Sequence, residues 1–431
     1  MNFKRKAKKF FVGLAAAATV FAVGASGLTA MSQAHADTNT SSSLHVKAKA
    51  AIAVDAQTGQ IIYGKNENQA LPVASMSKLL AIYIVLKNIH EGKLSWNQKV
   101  AVDSASQKVS QNRELSNVPL KKGHKYTVRS LYQASLIYSA NGAVMALANA
   151  VAGSQQKFVD MMRSQAKQLG IKDATIYTCN GLPNDEVSTG RYPGAPAKGE
   201  NKLSARDMGL LSYYLLKKYP EILNTTKIKK MKFNNGTSNT EMENWNWMLP
   251  GLAKSYTELP VDGLKTGTSD KAGACFTGTV NKDGHRIITV VMGARHNGQN
   301  DLSRFVQTQK IMSYVYDDFT YTPISSGASI AGAKSMNVKD GKQAKVSVGT
   351  GSSTNVWLKK GLTTANLQGS LTKKTAEAPV KKGDQLGKIE LTSKNQPLKT
   401  VTGKNVTVKA AAASSVAKAN IFVRIWRAIF H

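Results

Sequence analysis

Ser75-Met76-Ser77-Lys78-Leu79-Leu80-Ala81-Ile82-Tyr83-Ile84-Val85-Leu86-Lys87 opens on two hydroxyls and a lysine, then runs apolar almost without a break. Leu79, Leu80, Ile82, Tyr83, Val85 and Leu86 cover nearly the whole circumference of a 3.6-residue period. Met76 to Lys87 therefore reads as a helix buried on all sides. A serine at the start of such a helix sits where backbone N–H groups and the helix dipole favour developing negative charge. Lys78, three residues on, shares its face and reaches its hydroxyl. Burial and a neighbouring cation would keep that amine neutral and able to act as a base. Ser77 is out of register with this pair and is expected to pack.

A helix buried on every side needs a sheet and further helices around it. Upstream, Ala51–Asp55 and Ile61–Tyr63 read as a hairpin turning at Gln57–Gln60. Downstream, helices are expected at Val128–Tyr138, Gly142–Val151, Gln155–Leu169 and Ala205–Lys218. Thr189–Lys202 reads as a long loop bordering the site. Strands return at Val261–Thr266, Ala274–Val280 and Arg286–Gly293, the last two joined by the turn Asn281-Lys282-Asp283-Gly284, and a helix over Leu302–Tyr316 closes the unit. Strands at both ends with helices between them predict an α/β (α+β) domain over 45–320. Its sheet is mostly antiparallel, flanked by helices and carrying a helical insertion. From Thr322-Pro323 the composition turns to Gly, Lys, Thr, Ser and Val in short alternating runs, which predicts a small all-β C-terminal domain over 323–408.

The two ends of the chain read differently again. Lys4, Arg5, Lys6, Lys8 and Lys9 precede an apolar stretch to Met31 and an Ala34-His35-Ala36 cleavage pattern, so residues 1–36 read as a signal peptide and the protein as exported. The alternative is an uncleaved N-terminal membrane helix. Removing the five cations of residues 1–36 lowers the net charge from +32 to +27, which suits anionic lipid headgroups or wall polymers and, outside the cell, not nucleic acid. A charge kept only for solubility is the plainer reading. Over 416–431, Asn420, Arg424, Arg427 and His431 form a polar stripe opposite Phe422, Ile425, Trp426, Ile429 and Phe430. Such an amphipathic helix is too short to span a bilayer and suited to lie in its interface. It follows an Ala410–Ser415 run that reads as flexible; docking on the protein's own core is the alternative.

Cys179 and Cys275 can form one bridge or remain two buried thiols. His90, His124, His285 and His296 lack zinc-site spacing, so neither metal nor cofactor is expected.

Two more short motifs join Ser75–Lys78. Ser139-Ala140-Asn141 falls between two expected helices, where a hydroxyl and an amide can point into a cleft. Lys265-Thr266-Gly267 falls on a strand, offering a fixed cation, a hydroxyl and a glycine that lets a ligand approach the backbone. Each is common alone. In this order, on helix, loop and strand, the three resemble the penicillin-binding proteins and serine β-lactamases. Val73–Leu79, Tyr126-Thr127-Val128, Ser139–Ala143, Ala152-Gly153-Ser154 and Asp262–Gly267 are further similar to the low-molecular-mass D-alanyl-D-alanine carboxypeptidases, across roughly residues 45–318.

That resemblance implies a β-lactamase/transpeptidase-like fold and an acyl-enzyme mechanism on peptidoglycan pentapeptide stems, with β-lactam antibiotics as covalent inhibitors. Ser75 would be the nucleophile and Lys78 its base. Ser139, held by Asn141 and close to Lys265, would pass a proton to the leaving D-alanine. Backbone N–H groups of Ser75 and Thr268 would form the oxyanion hole. Lys265, Thr266, Gly267 and Thr268 would receive the substrate's carboxylate end, with Arg304 either a second cation there or a surface arginine. Class A β-lactamases need a glutamate for the deacylating water; Glu186 and Glu200 lie in the right region, in no setting that matches. The enzyme is expected on the outer face of the cytoplasmic membrane, held by its C-terminal helix.

Overall fold

The computed structural model describes residues 44–430 apart from 299 and 395; the expected signal peptide lies outside the described residues. Strands β1 (Ala50–Asp55) and β2 (Ile61–Lys65) form the expected hairpin. Strands β3 (Val261–Ser269), β4 (Gly273–Lys282) and β5 (His285–Ala294) join them from the other end of the domain. The sheet order is β2-β1-β5-β4-β3, antiparallel throughout.

Alternation along the strands decides what covers each face. Ile52, Val54, Ile288, Val290 and Met292 pack into the larger, helical core, while Ala51, Ala53, Phe276, Ile287 and Val291 pack under the closing helix. Helix α1 (Lys78–His90) lies inside the helical core with Lys78 through Leu86 buried, as its apolar circumference predicts. Each of its fully buried leucines and isoleucines contributes about 1.5–3 kcal/mol by leaving water. Around it stand α2 (Val128–Ile137), α3 (Asn141–Ala152), α4 (Gln155–Leu169) and α5 (Ala205–Lys218). The Ser204 hydroxyl and the Asp207 carboxylate cap the start of α5 reciprocally. Helix α6 (Ser303–Asp318) covers the opposite face.

No linker follows α6. Strand β6 (Phe319–Ile324) continues from it and pairs with β9 (Thr354–Lys359) of the all-β domain. The rest of that domain is β7 (Ser335–Lys339), β8 (Lys345–Thr350), β10 (Leu367–Leu371), β11 (Thr375–Glu377), β12 (Gln385–Ser393) and β13 (Thr407–Ala412), ordered β10-β12-β13-β8-β7-β11 around its own apolar core. Two expectations need correction here. Ala410–Ser415 is not a flexible run: Ala410 and Ala412 are buried within β13, because alternating small residues fit a sheet beside a filled core. The terminal helix α7 is also shorter than 416–431, spanning Ile421–Phe430. Val416 and Lys418 are instead bridged to Val380 and Gly341.

The two domains are clasped together. Buried Gln60 donates to the Trp357 carbonyl at 2.8 Å and accepts the Trp357 N–H at 2.9 Å. Beside it, Ile61 and Val401 donate backbone N–H groups to Lys399 and Gly59.

Candidate active site

A single 3₁₀ turn, Ala74–Ser77, precedes α1 and presents Ser75. Ala74 adopts φ +44°, a strained left-handed conformation for a residue with a Cβ, of the kind that aims side chains at working sites. Gly181 packs directly behind this turn: its φ is +84°, and a Cβ there would stand 1.9 Å from the Ala74 carbonyl oxygen. Ser77 packs as expected, accepting a hydrogen bond from the Asn201 amide.

Lys78 is fully buried. Its Nζ lies 2.8 Å from Ser75 Oγ, 2.8 Å from Asn141 Oδ1 and 2.9 Å from the Asn180 carbonyl oxygen. Burial drives its pKa well below the usual lysine value, and the charge of Lys265 drives it lower. A neutral amine has two N–H groups and one lone pair. The two carbonyl oxygens can only accept, so they take the N–H groups and leave the lone pair facing the Ser75 hydroxyl.

Asn141 opens α3 and is itself fixed, donating from Nδ2 to the Ser116 carbonyl at 3.1 Å. Its amide oxygen accepts from Lys78, so it steadies the lysine. Ser139 sits just before it with φ +59°. On β3, Lys265 is buried and donates to the Thr266 carbonyl. Burial first, then the Arg304 charge, pushes the Lys265 pKa down to about 7. Arg304 is no surface arginine: it is buried and donates from one Nη to the carbonyls of Gly267 (2.8 Å) and Cys275 (3.2 Å).

Ser75, Ser139, Asn141, Thr266, Gly267, Thr268 and Arg304 line one cleft of about 420 Å³, with Lys78 and Lys265 buried in its surroundings. The glycine of the third motif has a different reason from the expected one. A Cβ on Gly267 would meet the Val73 carbonyl oxygen at 2.5 Å, so the chain's own backbone, not a ligand, occupies that space. The loop 189–202 contributes no lining residue to this cleft; Glu200 accepts instead from the Ser269 hydroxyl. Cys179 and Cys275 are both buried and unbridged.

Sequence reasoning missed Asn180, Tyr138, Trp245 and Trp247. Asn180 acts through its main chain, which no side-chain pattern announces. The aromatic three form one wall of the cleft, Trp245 donating its indole N–H to the Tyr138 carbonyl. Two of the chain's five tryptophans standing two positions apart were the available signal.

Comparison with known proteins agrees with this arrangement. Residues 36–296 match the family described as D-alanyl-D-alanine carboxypeptidase, and 319–418 match the C-terminal domain of penicillin-binding protein 5. The D-alanyl-D-alanine carboxypeptidase DacC of Escherichia coli (strain K12) is 30% identical over 387 residues, 88% of this chain and 87% of that one. The crystal structure of a peptidoglycan synthesis regulatory factor (PBP3) from Streptococcus pneumoniae is similar with a TM-score of 0.71 at 33% identity, covering 86% of this chain and all of that one. Penicillin-binding protein D2 of Listeria monocytogenes, in its ampicillin-bound form, gives 0.50 at 28% identity over 63% of this chain and 98% of its own. The chain belongs to the peptidase S11 family of D-alanyl-D-alanine carboxypeptidases, serine peptidases that act on peptidoglycan.

Proposed function

We propose that this cleft removes the terminal D-alanine of peptidoglycan stems with Ser75 as nucleophile and Lys78 as general base. The observation that carries the assignment is the contact of Lys78 with two carbonyl acceptors and one hydroxyl, which leaves a neutral amine's lone pair on Ser75. Ser75 Oγ attacks the carbonyl carbon between the last two D-alanines as its proton passes to Lys78. The oxyanion forms beside the backbone N–H groups of Ser75 and Thr268, which cost no reorganisation because the fold has already placed them. Ser139 relays the proton from Lys78 to the departing amine, and the C–N bond breaks. Water then enters the vacated space, Lys78 accepts its proton, and the ester to Ser75 is hydrolysed.

The substrate's carboxylate is bound by the Thr266 hydroxyl and the charge of Lys265. Arg304 adds the second cation, its position set by the Gly267 and Cys275 carbonyls. Asn141 holds Lys78 in place. A β-lactam carries a carboxylate near a reactive carbonyl, so it would acylate Ser75 in the same pose.

Residues 1–36 would direct export, 45–320 catalyse, and the all-β domain from 323 stand between the active site and the membrane. The helix that ends the chain would lie on the outer membrane face. Exposed Phe422, Ile425 and Trp426 support that placement, while the lysine-rich composition suits anionic lipid or wall polymers. Incubating the mature chain with a peptide ending in D-Ala-D-Ala should release free D-alanine. No release, or release undiminished by Ser75→Ala, would sink the assignment.

A further inference from the structure

We propose that the all-β domain carries a basic collar around the root of α7 that binds the headgroups of anionic phospholipids. The inference rests on the reading of α7 as a membrane-interface helix, but the residues it assigns lie outside that helix.

The domain is lopsided in charge, with sixteen lysines against four carboxylates over 323–419. Part of this excess is gathered at one place by backbone pairing. Three segments run side by side where the chain leaves β13 and enters α7. Lys342 donates its backbone N–H to the Ala417 carbonyl at 2.7 Å, Gly341 is bridged to Lys418, and Ala419 donates to the Asp340 carbonyl. On the other side Val380 and Val416 exchange backbone hydrogen bonds, and the Lys382 N–H reaches Ser415 Oγ. Lys342, Lys381, Lys382 and Lys418 therefore stand within a strand spacing or two, roughly 5–10 Å, of the chain leading into the helix. All four side chains are exposed.

The nearby carboxylates offset them only in part, leaving four lysines against the charge of Asp384. Asp340 is paired with Arg424 of α7 at 3.1 Å, and Asp384 accepts the Lys381 backbone N–H. The Asp340–Arg424 pair also fixes the first turns of the helix against the domain, and the Asn420 side chain caps it by accepting the Val423 N–H. Beyond this clamp, Ile421, Phe422, Ile425 and Trp426 are exposed. An apolar helix face beside a cluster of lysines matches an anionic bilayer, which offers hydrocarbon and phosphate together. A polyanion in water offers nothing to the apolar half.

Mature full-length protein should bind vesicles containing phosphatidylglycerol more tightly than phosphatidylcholine vesicles, with a salt-sensitive difference. The variant Lys342→Gln/Lys381→Gln/Lys382→Gln/Lys418→Gln should lose about a hundredfold or more in affinity for the anionic vesicles. It should bind neutral vesicles as before and release D-alanine from a soluble peptide at the wild-type rate. Phe422→Asp should instead abolish binding to neutral vesicles. Wild-type affinity of the quadruple variant for anionic vesicles would overturn the collar and leave the anchor reading standing. Wild-type protein that bound neither vesicle would remove the anchor reading and the collar with it. Loss of retention on poly(glycerol phosphate) with unaltered vesicle binding would assign these lysines to a wall polymer and overturn the proposal.

Discussion

The charge of Lys265 opposes the protonation of Lys78: both lysines are buried in one site, and after burial itself Lys265 is the largest influence holding Lys78 neutral. One amine is thereby suited to accept a proton and the other to meet a carboxylate. The unfolded chain binds more protons than the folded one at both positions.

This gives the pH profile a sign. The proposed mechanism needs Lys78 neutral and Lys265 charged, so kcat/KM should rise with pH as Lys78 deprotonates and fall as Lys265 deprotonates near 7 in the free enzyme. A bound carboxylate favours charged Lys265, so the falling limb of kcat should lie at higher pH. Lys265→Arg should carry the falling limb of kcat/KM up by about two pH units or more, since guanidinium does not titrate there. Stability should rise with pH between about 7 and 10.5, where only the unfolded chain keeps the Lys265 proton. Lys265→Met should make that rise shallower in urea denaturation, leaving the part that Lys78 contributes.

Ser75→Ala should reduce D-alanine release by at least about 10⁴-fold and abolish covalent labelling by penicillin, with thermal unfolding unchanged. Rapid turnover of penicillin by the wild-type protein would instead mark it as a β-lactamase.

Asn141→Ala removes one acceptor from a buried amine and one donor from the Ser116 carbonyl. A fall of about 100-fold or more in kcat is expected, with a stability loss of roughly 1–3 kcal/mol. Asn141→Asp should shift the acid limb to higher pH, because a carboxylate favours protonated Lys78. An unmoved limb would exclude the positioning role.

Arg304→Met should raise KM more than it lowers kcat, by about tenfold, if the guanidinium meets the substrate carboxylate. A kcat loss at constant KM would confine Arg304 to bracing β3 and β4 through the Gly267 and Cys275 carbonyls.

Gly181→Ala would force the 3₁₀ turn away from its place, since the Ala74 carbonyl occupies the site of the new methyl. Penicillin acylation slowed by about tenfold or more, in a variant that still folds, is the expected result.

Long periodic elements were legible because burial on one side or all sides dictates their pattern. Gln155–Leu169 and Ala205–Lys218 form with the expected ends, and α1 is as buried as its circumference implied. The first two motifs lie at element boundaries, where a short turn can aim a side chain, while Lys265-Thr266-Gly267 lies inside β3. What stayed hidden depends on backbone and neighbours. Asn180 contributes a carbonyl, Gly267 yields space to Val73, and the alanines of β13 look like a spacer until a core fills in beneath them. The end of the chain misled for a related reason: residues 416–419 stand directly before the helical stripe, yet the N–H and C=O of Val416, the C=O of Ala417 and the N–H of Ala419 find partners in neighbouring segments first.

The two-bond clasp between Gln60 and Trp357 makes the C-terminal domain a strut and not a tether. With β6 continuing directly from α6 and pairing with β9, the connection itself supplies no slack for the catalytic body to swing. If the terminal helix lies on the membrane as proposed, an enzyme on such a pedestal would work at one altitude above its floor, and the pedestal's length would select which layer of the wall is trimmed. A flexible insertion between residues 318 and 319 would blur that selection while leaving the chemistry untouched.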